Sequence, residues 1–168
     1  MTLDATTLTT PAGSLAVLAR DGVVIAAGFA SIADMAARVD DTGSPTRLPT
    51  ERRDLGPISR AIAAYIEGDL TAMDDLAVEQ PGGDFFQAAW KVMREVPAGE
   101  TITYTELAER VGRPRAVRAA GSACARNRIA PIIPCHRILR AGGNLGGYYY
   151  GLTAKTWLLE HERRYTAQ

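Results

Sequence analysis

Cysteine and histidine are scarce, with two of each in 168 residues. Neither cysteine lies in a Cys-x-x-Cys pair, so no disulfide framework and no zinc module is expected. No apolar run approaches the roughly 20 residues that a membrane span needs. The opening MTLDATTLTT lacks the basic start and apolar centre of a secretory signal. The expected setting is therefore cytoplasmic, with Cys124 and Cys135 as reduced thiols and no membrane partner. What remains is ordinary globular material, 46% hydrophobic and 23% charged, long enough for one or two small domains with a real core.

Net charge is zero, but it is split. Residues 1–84 hold 6 basic and 13 acidic residues, a net of −7; residues 85–168 hold 13 basic and 6 acidic, a net of +7. Between Arg110 and Arg140 there are eight arginines and no carboxylate. Such a run is often only a solvated face. Its density here points to an anionic partner, nucleic acid above all.

The first half reads as a small sheet with helices. Pro11-Ala12-Gly13 is a turn. Ser14 to Ala19 and Val23 to Phe29 read as strands joined at Asp21-Gly22, a pair suited to a turn needing positive φ at both positions. Ser31 is placed to cap a helix through about Val39. Asp40 to Arg53 reads as a loop. Pro57 suits the first turn of a helix running to Ile66, and Gly68 suits its end. Asp40-Asp41 and Asp74-Asp75 read as solvated surface. Gln80-Pro81-Gly82-Gly83 is the linker candidate, dividing a sheet-and-helix domain, 1–80, from a second domain, 81–168.

The second half carries the chemistry. Asp84 is placed to cap a helix that Pro97-Ala98-Gly99 ends. Thr103 and Glu106 form a capping box for a short helix ending at Gly112. Pro114 opens a second helix, Arg115 to about Arg126. Two helices with a tight connection and a basic second member suggest a helix-turn-helix, although many such pairs bind no DNA. On the second helix Val117, Ala120, Gly121 and Cys124 are placed inward. Arg118, Ala119, Ser122 and Ala125 face outward, with Arg115 and Arg126 at the two ends.

Ile132-Ile133-Pro134-Cys135-His136-Arg137 puts a thiol at the expected end of a buried strand, beside an imidazole and a guanidinium. That environment can turn a thiol into a nucleophile; it also suits a buried structural cysteine. Arg137 to Leu139 reads as strand. Glycines then lead to Tyr148-Tyr149-Tyr150, either a stacking surface for a base or packing residues. A last helix, about Thr153 to Arg163, carries Glu162, which either orients His136 or lies exposed.

These residues together resemble the O6-alkylguanine-DNA alkyltransferases. Pro134-Cys135-His136-Arg137 matches the active-site signature. Agreement extends through Phe85, Trp90, Gly99-Glu100-Thr101, Tyr104, Leu107-Ala108, Arg118, Asn127, Gly147-Tyr148, Gly151, Lys155, Leu158-Leu159 and Glu162. The resemblance implies an α/β (α+β) fold, with a ribonuclease-H-like N-terminal sheet domain and a C-terminal winged helix-turn-helix that is both DNA-binding and catalytic. It implies a monomer without cofactor or metal that acts once on double-stranded DNA, moving the alkyl group of O6-alkylguanine, and of O4-alkylthymine, to Cys135. His136, through water and backed by Glu162, draws off the thiol proton. Tyr104 crowds a phosphate and helps neutralise the departing guanine. Arg118 fills the space of the displaced base, with Arg115, Ala119, Ser122 and Arg126 on the DNA. The backbone at Cys135, Ile138 and Tyr149, with Tyr148 and Tyr150, forms the base pocket. Asn127 is the hinge between recognition helix and active-site loop.

Three departures stand out. Tyr150 occupies a position where the family often has glycine, and is expected to narrow the pocket or stack on the substrate, favouring methyl over bulky adducts. Arg128 replaces a frequent proline. No cysteine or histidine precedes Cys124, so the zinc site that some relatives carry in the first domain is absent. The competing reading is a non-catalytic lesion-binding relative, which the intact Cys135 disfavours.

Overall fold

The computed structural model describes residues 3–40 and 48–167. It is a mixed α/β protein that divides into two compact units, 1–81 with 128–132, and 82–127 with 133–168. The first boundary falls inside the Gln80–Gly83 tetrapeptide. The return of 128–132 to the first unit departs from the single cut expected between 80 and 81. Its cause is backbone pairing: the Ala27 amide donates to the Arg128 carbonyl at 2.8 Å, and the Ala130 amide donates to Ala27 at 3.0 Å.

In the first unit, β1 (Asp4–Thr10), β2 (Gly13–Arg20) and β3 (Val23–Gly28) form an antiparallel meander. β4 (Thr50–Glu51) runs parallel to β1, giving the order β3-β2-β1-β4. The turn between β2 and β3 has the expected geometry, with φ of 52° at Asp21 and 78° at Gly22. Two strands lie where the sequence indicates none. β1 is threonine-rich with few apolar residues, and its strand character comes from branched side chains and seven register pairs with β2. β4 is two exposed residues inside the expected loop.

The helices α1 (Ile32–Asp40) and α2 (Pro57–Ile66) begin as expected, with the Ser31 hydroxyl accepting from the Asp34 amide and Pro57 in the first turn. Asp74 and Asp75 are exposed; the Asp40-Asp41 pair lies outside the described side chains.

The second unit holds α3 (Asp84–Glu95), α4 (Tyr104–Val111), α5 (Val117–Arg126) and α6 (Leu152–Thr166). Asp84 is not the cap of α3. Gly83 takes that place and Asp84 is the first helical residue, where its charge still complements the helix dipole. Gly82 is needed as glycine, since a Cβ there would stand 2.8 Å from the Trp90 ring. Trp90 is buried and its indole N–H donates to the Ala123 carbonyl at 2.9 Å, fixing α3 against α5. The capping box of α4 is complete: the Glu106 amide donates to the Thr103 hydroxyl, and the Thr103 amide donates to Glu106. Gly112 ends α4 with φ of 88°.

α5 starts two residues later than the sequence suggests. Arg113 to Ala116 form a turn closed by the Ala116 amide on the Arg113 carbonyl, so Arg115 lies before the helix. The inward face also shifts. Ala120 and Ala123 are the buried residues of α5. Replacing part of that surface by longer side chains would separate α5 from α3 and forfeit the close packing that small residues permit.

Candidate active site

Cys135 opens a 3-10 turn, Cys135–Arg137, that leads into β6 (Ile138–Leu139). Ile132 and Ile133 are buried but form turn, not strand, so the expected strand before the thiol is replaced by a bend through Pro134. The expected strand after it loses Arg137 to the 3-10 turn. β6 pairs in parallel with β5 (Ile102–Thr103), so the thiol segment and the start of α4 share one small sheet. Tyr104 follows β5 directly.

Asn127 stands where the chain leaves this unit, and its side-chain amide donates to the Ile133 carbonyl at 2.8 Å, where the chain re-enters. The five residues between are thereby bridged at their base. Asn127 is buried, and one hydrogen bond joins the end of α5 to the segment carrying Cys135.

Below the thiol lies a closed ionic cluster. His136 Nε2 is 2.7 Å from Glu162 Oε2. Arg137 Nε donates to Glu162 Oε1 at 2.8 Å, Nη2 donates to Oε2 at 2.9 Å, and Nη1 donates to the Val96 carbonyl at 2.7 Å. His136 is 0% exposed and Glu162 1%. Burial pushes the Glu162 carboxyl up, but the charges and hydrogen bonds of His136 and Arg137 outweigh it and hold the carboxyl well below the usual range. Burial pushes the His136 imidazole down, against the pull of Glu162, and Arg137 and Lys155 add to the lowering.

An ionised carboxylate only accepts, so Nε2 must carry the proton facing it. The neutral ring then presents a lone pair at Nδ1, an atom with no hydrogen-bond partner among the described residues. This is the tautomer a general base requires. Glu162 is thus the buried orienting group, not the exposed alternative.

Cys135 also stands in the wall of a cavity of about 280 Å³, lined by Tyr104, Gly121, Cys124, Ala125, Cys135, Gly147, Tyr148 and Tyr149. Burial chiefly raises the Tyr104 phenol above its ordinary value, with the two cysteines adding to it, so the phenol stays protonated and able to donate. The Gly147 amide hydrogen-bonds this phenol. Gly146 touches it: a Cβ at Gly146 would lie 2.8 Å from Tyr104 Oη, and its φ is +70°. Gly146→Ala is therefore expected to cost about 1–3 kcal/mol through left-handed strain and to displace the phenol. Urea unfolding of the single variant and of Gly146→Ala/Tyr104→Phe separates the two causes, since removing Oη recovers only the contact part.

Two expected pocket residues lie elsewhere. Ile138 is buried and does not line the cavity; its carbonyl accepts from Lys155. Tyr150 is not a lining residue either. Its ring packs edge-on against Tyr149 at 5.0 Å and Tyr148 at 5.8 Å, so it backs the two tyrosines that do line the cavity. Its ring therefore braces the two tyrosines that line the cavity. Tyr149 is 61% exposed at the rim.

The arginine run is less uniform than its sequence suggests. Arg115, Arg118 and Arg126 are exposed, as is Ser122, with Ala119 half-buried between them. Arg137 is buried on Glu162, and Arg128 is half-buried in the first unit with Nε donating to the Ile25 carbonyl at 3.2 Å. These two are structural cations. Lys155 is the site residue that sequence reasoning assigned no role. It is fully buried, and its ammonium donates to the carbonyls of Ile138, Leu145 and Gly147. Its position one helical turn inside α6, between the apolar Ala154 and the buried Leu158, was the available signal.

Fold and site together define a cysteine-dependent protein built on a helix-turn-helix, with the thiol beside an oriented imidazole. Residues 84–164 match the family model "6-O-methylguanine DNA methyltransferase, DNA binding domain". The chain is 42% identical over 150 residues to the methylated-DNA–protein-cysteine methyltransferase of Mycobacterium leprae, covering 84% of this chain and 87% of that one. It is 47% identical over 87 residues to the bifunctional transcriptional activator/DNA repair enzyme Ada of Escherichia coli, 52% of this chain but only 25% of Ada. The crystal structure of Mycobacterium tuberculosis OGT in complex with DNA superposes with a TM-score of 0.82 at 32% identity, covering 96% of this chain and 94% of that one. The chain belongs to the methylated-DNA–protein-cysteine methyltransferase family.

Proposed function

We infer that the protein repairs DNA directly, by irreversible transfer of the alkyl group of O6-alkylguanine in duplex DNA to Cys135, once per molecule. The observation that carries this is the buried His136–Glu162–Arg137 cluster next to a thiol at the wall of a base-sized cavity. The alkylated oxygen is inaccessible inside a duplex, so the nucleotide must swing out into that cavity. His136 Nδ1 takes the Cys135 proton through a water. The sulfur attacks the alkyl carbon, the carbon–oxygen bond breaks, and the guanine leaves with its electron pair. Tyr104, held protonated by burial, is the donor that neutralises the leaving base. The thioether has no leaving group of comparable quality, so the protein is consumed.

Cys124 shares the cavity but is a poor competitor, since burial keeps its thiol well above the ordinary range. The exposed Arg118, Arg115 and Arg126, with Ala119 and Ser122, form the DNA face; Arg118 fills the space left by the base. No helix of the described residues is long and apolar enough to cross a membrane; we place the protein with the cell's DNA, in the cytoplasm.

The deciding experiment is incubation with duplex DNA carrying O6-methylguanine, followed by intact and peptide mass measurement. One methyl on the peptide 129–137 is expected. Lesion-selective binding without modification would instead favour a lesion-binding relative without transfer. Arg118→Ala is expected to slow transfer from duplex DNA by about 10–100-fold, because base displacement costs a few kcal/mol. Transfer from the free alkylated base should be unchanged. Equal slowing on both substrates in single-turnover assays would rule out a space-filling role.

A further inference from the structure

The cavity that receives the base holds a second thiol that the alkyl-transfer chemistry does not use. Cys124 lies on the last turn of α5 and Cys135 on the 3-10 turn, and both line one small cavity. Both thiols are close enough to influence the titration of Tyr104 and Lys155, and Cys135 that of Cys124. The small residues Gly121 and Ala125 line the same cavity as Cys124.

We propose that Cys124 is the resolving thiol of a reversible oxidation site, and that hydroperoxide entering the base cavity converts Cys124 and Cys135 to a disulfide. The first step places the Cys135 sulfur on the distal peroxide oxygen. The O–O bond breaks, Cys135 becomes a sulfenic acid, and water or alcohol leaves with the thiol proton. In the second step the Cys124 sulfur attacks the Cys135 sulfur. The S–S bond forms, the S–OH bond breaks, and the Cys124 proton leaves with hydroxide as water. Two thiols lose two electrons and the peroxide gains two. The order of events follows from the site. His136 follows Cys135 directly in the chain, whereas Cys124 is a half-buried thiol that desolvation keeps protonated, suited to the second step. A sensor thiol poised next to a resolving thiol is the arrangement that halts oxidation before the irreversible sulfinic stage.

This protects a protein that has one working thiol and no second turnover. While the disulfide stands, Cys135 cannot accept an alkyl group; reduction returns it. Closing the bond requires the two Cβ atoms to approach about 3.8 Å, and Cys124 lies two residues before the end of α5 at Arg126.

The test treats the full chain with hydrogen peroxide, blocks free thiols, and maps peptides without reduction. Trypsin separates the two cysteines onto 119–126 and 129–137. A linked pair of these peptides is expected, with methyl-acceptor capacity lost and then regained on dithiothreitol. In Cys124→Ser the capacity lost to excess peroxide should stay lost, with Cys135 found as sulfinic acid. Absence of the linked pair, or equal recovery in the variant and the wild type, overturns the proposal. The peptide map uses no DNA. If untreated protein takes no methyl from O6-methylguanine duplex, the alkyl-transfer reading fails while the map still decides on the disulfide.

Discussion

Glu162→Gln is expected to lower stability by about 3–5 kcal/mol, the cost of breaking one partner out of a buried ion pair, and to slow alkyl transfer by about 10²-fold or more. Three N–H donors converge on the Glu162 carboxylate, two from Arg137 and one from His136. An amide has one oxygen and one NH2. With its oxygen toward His136, it sets NH2 against Arg137 Nε. With NH2 toward His136, it forces Nε2 to accept, and the ring proton moves to Nδ1, where the lone pair is needed. Either orientation leaves the Arg137 guanidinium buried without a counter-charge. Chemical denaturation reads the stability, and single-turnover transfer reads the chemistry. Ring-nitrogen NMR shifts of His136 separate a tautomer change from simple loosening, which would slow transfer with the Nε2-protonated ring intact.

The same cluster fixes the pH response. His136 has a folded pKa below its ordinary value of about 6.5. As pH falls past that value the unfolded chain takes up a proton that the folded protein refuses, so stability declines from there downward. Glu162 has a folded pKa well below the ordinary value of about 4.3. Its contribution is whole above that value and is lost as pH falls further. Wild-type stability should therefore descend in two stages on acidification. Glu162→Gln lacks the second. Transfer rates should fall with the protonation of His136, which removes the lone pair at Nδ1. Rates that stay level on acidification through that titration exclude His136 as the base.

Much of this is legible in the residues, and what is not has more than one cause. Several local signals match the structure: the Asp21-Gly22 turn, the Thr103–Glu106 capping box and Pro57 at a helix start. Each depends on residues within a few positions of one another. Some of the differences concern partners far apart in the chain. Arg137 and Arg128 counted as part of a basic face, yet one closes on Glu162, 25 positions away, and the other on Ile25, 103 positions away. β1 looks polar because its stability lies in cross-strand pairing with β2. Ile132-Ile133 has strand composition, but the bend through Pro134 and the Asn127 bridge decide its shape. The ring of Tyr150 packs on those of its immediate neighbours Tyr148 and Tyr149, a contact that its place in a motif does not announce.

Lys155→Met tests the least visible of these long-range contacts, with an expected loss of about 2–3 kcal/mol and about a tenfold or greater slowing of transfer. An ammonium offers three N–H donors, and three carbonyls converge on it, from Ile138 at 2.9 Å, Leu145 at 2.5 Å and Gly147 at 3.1 Å. Methionine keeps the volume and removes every donor. The carbonyls so left cost about 1–3 kcal/mol for each that stays buried, offset in part because a buried cation no longer has to be desolvated. The functional loss follows from what the clamp holds. Gly147 is fixed at its carbonyl by Lys155 and at its amide by the Tyr104 phenol, and Tyr148 and Tyr149 follow it into the cavity wall. Lys155 therefore acts as a positioning residue, setting the loop that places both the proton donor and the base-facing rings. Arginine should not rescue it, because a planar guanidinium cannot direct three N–H groups at carbonyls converging on one point. Hydrogen exchange should rise at the amides of residues 145–150 in both variants, in step with the loss of rate. Unchanged exchange there together with slowed transfer would mean that Lys155 works through its charge beside Cys135 and not through the loop.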